Sequence, residues 1–116
     1  MRLEQALQEN CVSWFRLNYP GYIIYHIPNG GYRNKSEAVR MKRMGVVPGI
    51  PDLHIPYTNG EFLSLYVELK AGSNRSTAVQ VEVQEELIMA GNMVVEINSF
   101  EEFKQLVDGY MKTVKK

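Results

Sequence analysis

The sequence lacks the features that define several large classes of protein. Its 116 residues include a single cysteine, Cys11, which excludes an intramolecular disulfide framework and fits a reducing compartment. No segment approaches the roughly 18 apolar residues of a membrane span, and the first residues lack the apolar block of a signal peptide. We therefore expect a cytoplasmic protein that has no membrane partner.

Motifs for several common chemistries are missing as well. With one cysteine there is no zinc-ligand spacing, and the sequence suggests neither a serine or cysteine triad nor a specific glycine-rich phosphate loop. Repeats, low-complexity tracts and linkers are also absent. The length allows one hydrophobic core, so we predict a single domain over residues 1–110 and a frayed basic tail over residues 111–116.

The net charge is zero, but the charges are unevenly distributed. Residues 1–57 carry seven Lys/Arg and four Asp/Glu, whereas residues 58–108 carry three and nine. Such an asymmetry can form a basic face for a nucleic acid, although a solvated helix face explains a basic cluster more simply when it is considered alone. The cluster consists of Arg33, Lys35, Arg40, Lys42 and Arg43.

Hydrophobic periodicity predicts alternating helices and strands. The predicted helices cover 2–18, 35–43, 76–90 and 99–110, and the predicted strands cover 22–27, 52–55, 62–70 and 93–97. Asn59-Gly60 predicts a hairpin between the second and third strands, and Ser99 with Glu102 predicts a capping box. The order αβ(α)ββαβα predicts a three-layer-like α/β sandwich around a small mixed β-sheet.

The third predicted strand places a carboxylate and an ammonium on one face. Glu68 and Lys70 alternate with a core face that we expect to contain Leu63, Leu65, Val67 and Leu69. Asp52 begins the neighbouring strand and is expected to converge on Glu68. A divalent cation would offset the repulsion between the two carboxylates, and the carbonyl of Leu69 could add an oxygen ligand. A surface Glu–Lys pair explains Glu-x-Lys alone, but the upstream Pro-Asp favours the metal site.

Polar side chains also fall on two predicted core-facing helix arcs. Glu4 lies in the apolar arc of the first helix, where a partner cation, a shared metal or the helix dipole would have to stabilise it. Gln80 and Gln84 lie in the middle of the arc of the third helix, where either amide could orient a metal-bound water, Lys70 or a phosphate oxygen. The remaining members of that arc, which we expect to be buried, are Val81, Val83, Leu87, Ile88 and Ala90.

Together these residues resemble the VRR-NUC domain, the virus-type replication-repair nuclease branch of the PD-(D/E)xK superfamily. The resemblance extends from Glu4 to about Phe103. Its matching stretches are His26-Ile27-Pro28-Asn29-Gly30-Gly31, residues 45–53, Val67-Glu68-Leu69-Lys70, Gln80, and Leu87 followed by Gly91. The segment 71–79 departs from the family by lacking its basic-polar lead-in.

This resemblance implies a restriction-endonuclease-like fold and a deoxyribonuclease dependent on Mg²⁺ or Mn²⁺. Glu4, Asp52 and Glu68 would hold the metal, and Lys70 and Gln80 would complete the site. Gln80 is preferred to Gln84 because its distances from Lys70 and Gly91 resemble the family pattern.

The resemblance also suggests a substrate and an assembly. Short stand-alone members resemble phage-encoded enzymes that act as homodimers on branched DNA such as four-way junctions, which suggests a phage or prophage origin in a bacterial host. The alternatives are a nicking or restriction-type endonuclease on duplex DNA and, in a different class, a non-catalytic DNA-binding module. The residues expected to contact the DNA backbone are Asn29, Arg33, Arg40, Lys42 and Arg43.

Overall fold

The computed structural model describes residues 3–28 and 34–116. Within them the elements are, in order, α1 (Leu3–Asn18), β1 (Tyr25–His26), α2 (Lys35–Arg43), β2 (Leu53–Ile55), β3 (Leu65–Leu69), α3 (Ala78–Met89), β4 (Met93–Ile97) and α4 (Phe100–Met111). The predicted α/β class and element order are confirmed. None of the described helices is long and apolar enough to cross a membrane.

The four strands form one mixed sheet in the order β1-β2-β3-β4. β1 with β2 and β2 with β3 are antiparallel, and Leu53 pairs with Val67. β3 and β4 are parallel, so the chain must cross over between them, and α3 makes that crossing. Asp52 immediately precedes β2 and therefore reaches the sheet at the end where Glu68 and Lys70 leave β3.

One face of the sheet packs against α1 and α4 and forms the hydrophobic core. Phe15 of α1 and Phe103 of α4 are fully buried there, and full burial of a large apolar side chain contributes about 1.5–3 kcal/mol. Cys11 is also fully buried, and this burial raises the pKa of its thiol to about 12, so the thiol stays protonated. The strand residues of this core are Leu53, Ile55, Leu65, Val67, Leu69 and Ile97.

The prediction that α3 buries an apolar arc is wrong. None of its residues is buried, and Val81 and Ile88 are 41% and 53% exposed. Val83 and Leu87 are half-buried, and Ala90 beyond the helix is exposed. α3 lies over the sheet face opposite the core, where its contacts are largely polar, so burial of an apolar stripe is not what positions it.

The first and third strands are shorter than the predicted 22–27 and 62–70. The hydroxyl of Tyr57 accepts the N–H of Ile23 at 2.9 Å, which takes this part of the chain out of the β-ladder. The side chain of Asn59 accepts the N–H groups of Glu61 and Phe62, and this turn delays β3. Leu63, expected in the core, consequently lies outside the strand and is 62% exposed.

The residues that follow α4 lie against the domain, although a frayed tail was predicted there. Met111, the first residue of the predicted tail, is still helical and is buried. Val114 packs against the core, and the Lys116 ammonium donates to the carbonyl of Gly21. The end of the described chain therefore covers part of the core.

Two glycines provide a test of the backbone geometry. Gly91 follows α3 with φ +104°, and an added Cβ would lie 3.0 Å from Leu63, whereas Gly109 lies within α4 with no atom within 4 Å of an added Cβ. Gly91→Ala should lower the free energy of unfolding by about 1–2 kcal/mol because L-residues avoid positive φ. Gly109→Ala should raise it by about 0.5–1 kcal/mol because alanine favours a helix. Urea denaturation measures both, and effects of the same sign would contradict this geometry.

Candidate active site

Glu68 is a charged residue that is only 2% exposed. β3 directs it to the face opposite the core, below the start of α3. Its Oε2 accepts a hydrogen bond from Gln80 Nε2 at 3.0 Å and lies 3.4 Å from Lys70 Nζ. Its Oε1 is buried and has no hydrogen-bond partner among the described residues. Because an unsatisfied buried acceptor is costly, this oxygen is a favourable place for a cation.

Two further carboxylates reach the same end of the sheet. Asp52 Oδ2 accepts the N–H of Leu69 at 2.8 Å, and Glu4 Oε2 lies 3.4 Å from the N–H of Ala71. Each carboxylate is thus turned toward a donor of its own. Accordingly, within residues 3–28 and 34–116, no three His, Cys, Asp or Glu side chains are gathered at metal-holding distances.

The pKa values show that these carboxylates nevertheless interact. Burial, and after it the charge of Asp52, raise the pKa of Glu68 to about 7 against the lowering effect of Lys70. Burial also raises the pKa of Asp52, against the lowering effects of the Leu69 N–H and His26. The charge of Glu4 raises both. The site therefore holds more negative charge than its own cations neutralise.

This donor set fits a hard divalent cation. Mg²⁺ and Mn²⁺ prefer carboxylate, carbonyl and water oxygens, and the site offers carboxylate oxygens together with the unpartnered Oε1 of Glu68. Asp52 and Glu68 would be ligands, with Glu4 as a further one. The structure shows Leu69 beside Asp52 through its N–H, so its carbonyl as a ligand stays a prediction.

Gln80 is positioned by the first turn of α3. Thr77 caps the helix, and its N–H donates to Gln80 Oε1 at 2.8 Å in a capping box. Because the cap holds Oε1, the amide nitrogen of Gln80 is directed to Glu68. The same side chain therefore completes a helix cap and contacts the buried carboxylate.

Gln84 lies one turn further along α3 and has a different partner. Its Nε2 donates to Ser76 Oγ at 3.0 Å, and Ser76 in turn donates through its N–H and hydroxyl to Glu96. Gln84 thus supports the entry to α3, and the structure brings Gln80 rather than Gln84 to Glu68.

The basic residues of α2 lie apart from the carboxylates. Arg40, Lys42 and Arg43 are exposed in the last turn of a helix that has no buried residue. No contact seen in the described chain joins them to Asp52 or Glu68. The other two expected DNA contacts, Asn29 and Arg33, lie outside the described residues.

Comparison with known proteins identifies a structural relative. No family model matches the sequence, and no curated protein matches it significantly. A solved structure described as a VRR_NUC domain protein matches with a TM-score of 0.79 and 27% identity, over 97% of this chain and 91% of that chain. The chain has the fold of a VRR-NUC domain. Its PD-(D/E)xK-like fold is that of a nuclease-type domain.

One contact in this VRR-NUC domain was not apparent from its sequence. His26 Nδ1 lies 2.8 Å from the carbonyl of Asp52, which can only accept, so Nδ1 carries the proton and donates. The N–H of Ile27 donates to the same carbonyl at 2.9 Å. These bonds attach β1 to the backbone of Asp52. The sequence signal was the position of His26 in the His-Ile-Pro-Asn-Gly-Gly stretch.

The raised pKa of Glu68 predicts a dependence of stability on pH. Between about pH 4.5 and 7 the folded protein keeps a proton that the unfolded chain releases, so the free energy of unfolding falls as pH rises. Glu68→Gln removes this titration. Without metal, the free energy of unfolding of the variant should therefore rise by up to about 3 kcal/mol relative to that of the wild type between about pH 4.5 and 7.

Denaturation of the wild type and Glu68→Gln at several pH values measures this difference, and the comparison cancels the other titrations. Glu86→Gln changes an exposed carboxylate of α3 and serves as the control. A difference between wild type and Glu68→Gln that stays constant from pH 4.5 to 7 would contradict the pKa assignment.

Proposed function

We propose that this VRR-NUC domain is a divalent-metal-dependent DNA endonuclease that hydrolyses phosphodiester bonds in branched DNA. The main support for the proposal is the buried Glu68 carboxylate. One of its oxygens has no hydrogen-bond partner among the described residues, and the other lies 3.4 Å from the Lys70 ammonium. Asp52 and Glu4 add negative charge at the same place. A merely structural ion pair would not need this additional acidic charge.

Asp52 and Glu68 would hold Mg²⁺ or Mn²⁺, with Glu4 and the Leu69 carbonyl as further ligands. When bound, the metal supplies Lewis acidity that favours attack of water on phosphorus and stabilises charge on the phosphate oxygens. Asp52 is fixed for this role because its carboxylate accepts from Leu69 and its carbonyl accepts from His26.

Lys70 and Gln80 serve the remaining needs of hydrolysis. The Lys70 ammonium lowers the pKa of Glu68 and so favours its ionised form. Lys70 is 8% exposed, and it contacts either the scissile phosphate or the attacking water. Gln80 occupies Oε2 of Glu68, which leaves Oε1 for the cation.

The proposed binding of branched DNA is based on the basic side chains of the domain and on its small size. Arg40, Lys42 and Arg43 of α2, with Asn29 and Arg33, would contact the phosphate backbone and give an affinity that falls with salt. One domain of this size offers little surface for a junction. A homodimer would present two sites related by a twofold axis and would cut two symmetric strands.

Cleavage of labelled four-way junction, flap, single-stranded and duplex DNA tests the proposal. We expect symmetric cuts in the junction with Mg²⁺ or Mn²⁺ and none with EDTA. Lys70→Ala should reduce the rate by at least about 100-fold because it removes a group that acts on the reacting phosphate or water. Lys104→Ala removes a surface ammonium paired with Glu101 and should leave the rate unchanged.

Three results would each overturn a part of this proposal. Equal cutting of every duplex substrate would replace branched-DNA selectivity by a nicking or restriction-type activity. Tight binding that needs no metal and yields no product would instead indicate a non-catalytic DNA-binding module. Cleavage by Lys70→Ala at the wild-type rate would remove Lys70 from the mechanism.

The two glutamines of α3 provide an internal comparison. Gln80→Ala should lower the single-turnover cleavage rate by about 10- to 100-fold because Glu68 loses a hydrogen bond. Gln84→Ala should have a much smaller effect because Gln84 contacts Ser76. Single-turnover assays at saturating metal measure both rates, and a larger loss for Gln84→Ala would reverse the assignment.

A further inference from the structure

A hollow of about 310 Å³ lies between α1 and β1, beside the candidate active site. We name it the α1–β1 hollow. Gln8, Ser13 and Arg16 line it from α1, and Tyr25 and His26 line it from β1. The roles proposed above are metal binding, positioning of water and DNA contact through α2. None of them uses the side chains of Gln8, Ser13 and Arg16.

Two features connect the hollow with the candidate active site. His26, which lines it, donates to the carbonyl of Asp52. Along α1, Glu4, Gln8 and Arg16 belong to one row at a spacing of four residues, which turns by about 40° around the helix at each step, so that Gln8 and Arg16 line the hollow and Glu4 lies beyond its end. The row begins at the catalytic end of the sheet and extends about 18 Å along the helix axis.

The hollow offers groups that suit a phosphodiester backbone. Arg16 is exposed, and its guanidinium forms no salt bridge within the described part of the chain. Helical side chains lean toward the N-terminus, so Arg16 leans back along the row toward Gln8. Gln8 and Ser13 add an amide and a hydroxyl donor, which are common contacts to phosphate oxygens.

One acidic residue, Glu9, also lines the hollow. Its Oε2 accepts a hydrogen bond from Gln5 at 3.0 Å, which engages the carboxylate within the helix. The Arg16 end of the row is two turns away from it along α1. Phosphate oxygens are therefore best accommodated at the Arg16 end.

Accordingly, we propose that the α1–β1 hollow binds the DNA strand that leads away from the scissile phosphate, with Arg16 contacting a phosphate of that strand. This inference rests on the proposed function for the position of the scissile phosphate. At roughly 3.4 Å per phosphate along one strand, the row spans several nucleotides. Gln8 and Ser13 contact the backbone between Arg16 and the metal site.

The test measures binding in EDTA, so that it does not depend on cleavage. Arg16→Gln should weaken binding of junction DNA several-fold, and the slope of log K against log salt should fall in magnitude by about 0.7–0.9, as for one lost phosphate contact. Lys112→Gln removes a charge next to the Thr58–Gly60 turn, at the other end of the sheet, and should change neither quantity.

Neutral methylphosphonate substitutions then locate the contact. One such substitution, two to five nucleotides from the cut, should weaken binding of the wild type but not of Arg16→Gln. The alternative is that Arg16 only interacts with the dipole at the end of α1. In that case Arg16→Gln would lower the melting temperature and leave the affinity and salt slope unchanged, which would overturn the proposal.

The outcomes separate this inference from the proposed function. Normal cleavage by the wild type, with no effect of Arg16→Gln on affinity or slope, would refute the hollow and leave the nuclease intact. If Arg16→Gln instead weakens binding and lowers the salt slope while the wild type does not cleave DNA, the strand-binding site in the hollow is supported and the nuclease is refuted.

Discussion

The structure depends on a carboxylate that is held out of water. Glu68 is nearly completely buried, and one of its oxygens receives no hydrogen bond from the described residues. Burial of an ionised carboxylate is expensive, and here the cost appears as a pKa raised to about 7. Lys70 and Gln80 offset part of it through the other oxygen. A bound cation would offset the remainder of this cost.

The surrounding elements are arranged to keep that carboxylate in place. α3 buries none of its residues, which is unusual for a helix that crosses between parallel strands. Its first turn is fixed instead by polar contacts: Thr77 caps it, and Gln80 joins the cap to Glu68. On the other side of the sheet, the apolar core of α1 and α4 anchors β3 rigidly. The polar contacts of Glu68 thus lie on one face of the sheet, and the apolar core that stabilises the fold lies on the other.

The sequence predicted the fold class and the element order, because helix periodicity, the Asn59-Gly60 hairpin and strand alternation are local signals. The resemblance to VRR-NUC domains came from its motifs. It also identified Asp52, Glu68 and Lys70 as neighbours from one strand and one turn. It failed where distant groups decide local structure. The Tyr57 hydroxyl takes the N–H of Ile23 out of the β-ladder, and α3 turns the polar Gln80, rather than an apolar arc, toward the sheet. Neither a hydroxyl from a distant loop nor the direction of a polar helix face can be inferred from periodicity.

A cation held by Glu68 as proposed above would displace the proton that the raised pKa of this carboxylate retains. Calorimetric titration of the protein with Mn²⁺ near pH 6.5, repeated in buffers with different ionisation enthalpies, counts the protons released. We predict binding with release of more than half a proton in the wild type, and no such release in Glu68→Gln. Binding of Mn²⁺ to the wild type without proton release, or no binding at all, would contradict a cation site at Glu68.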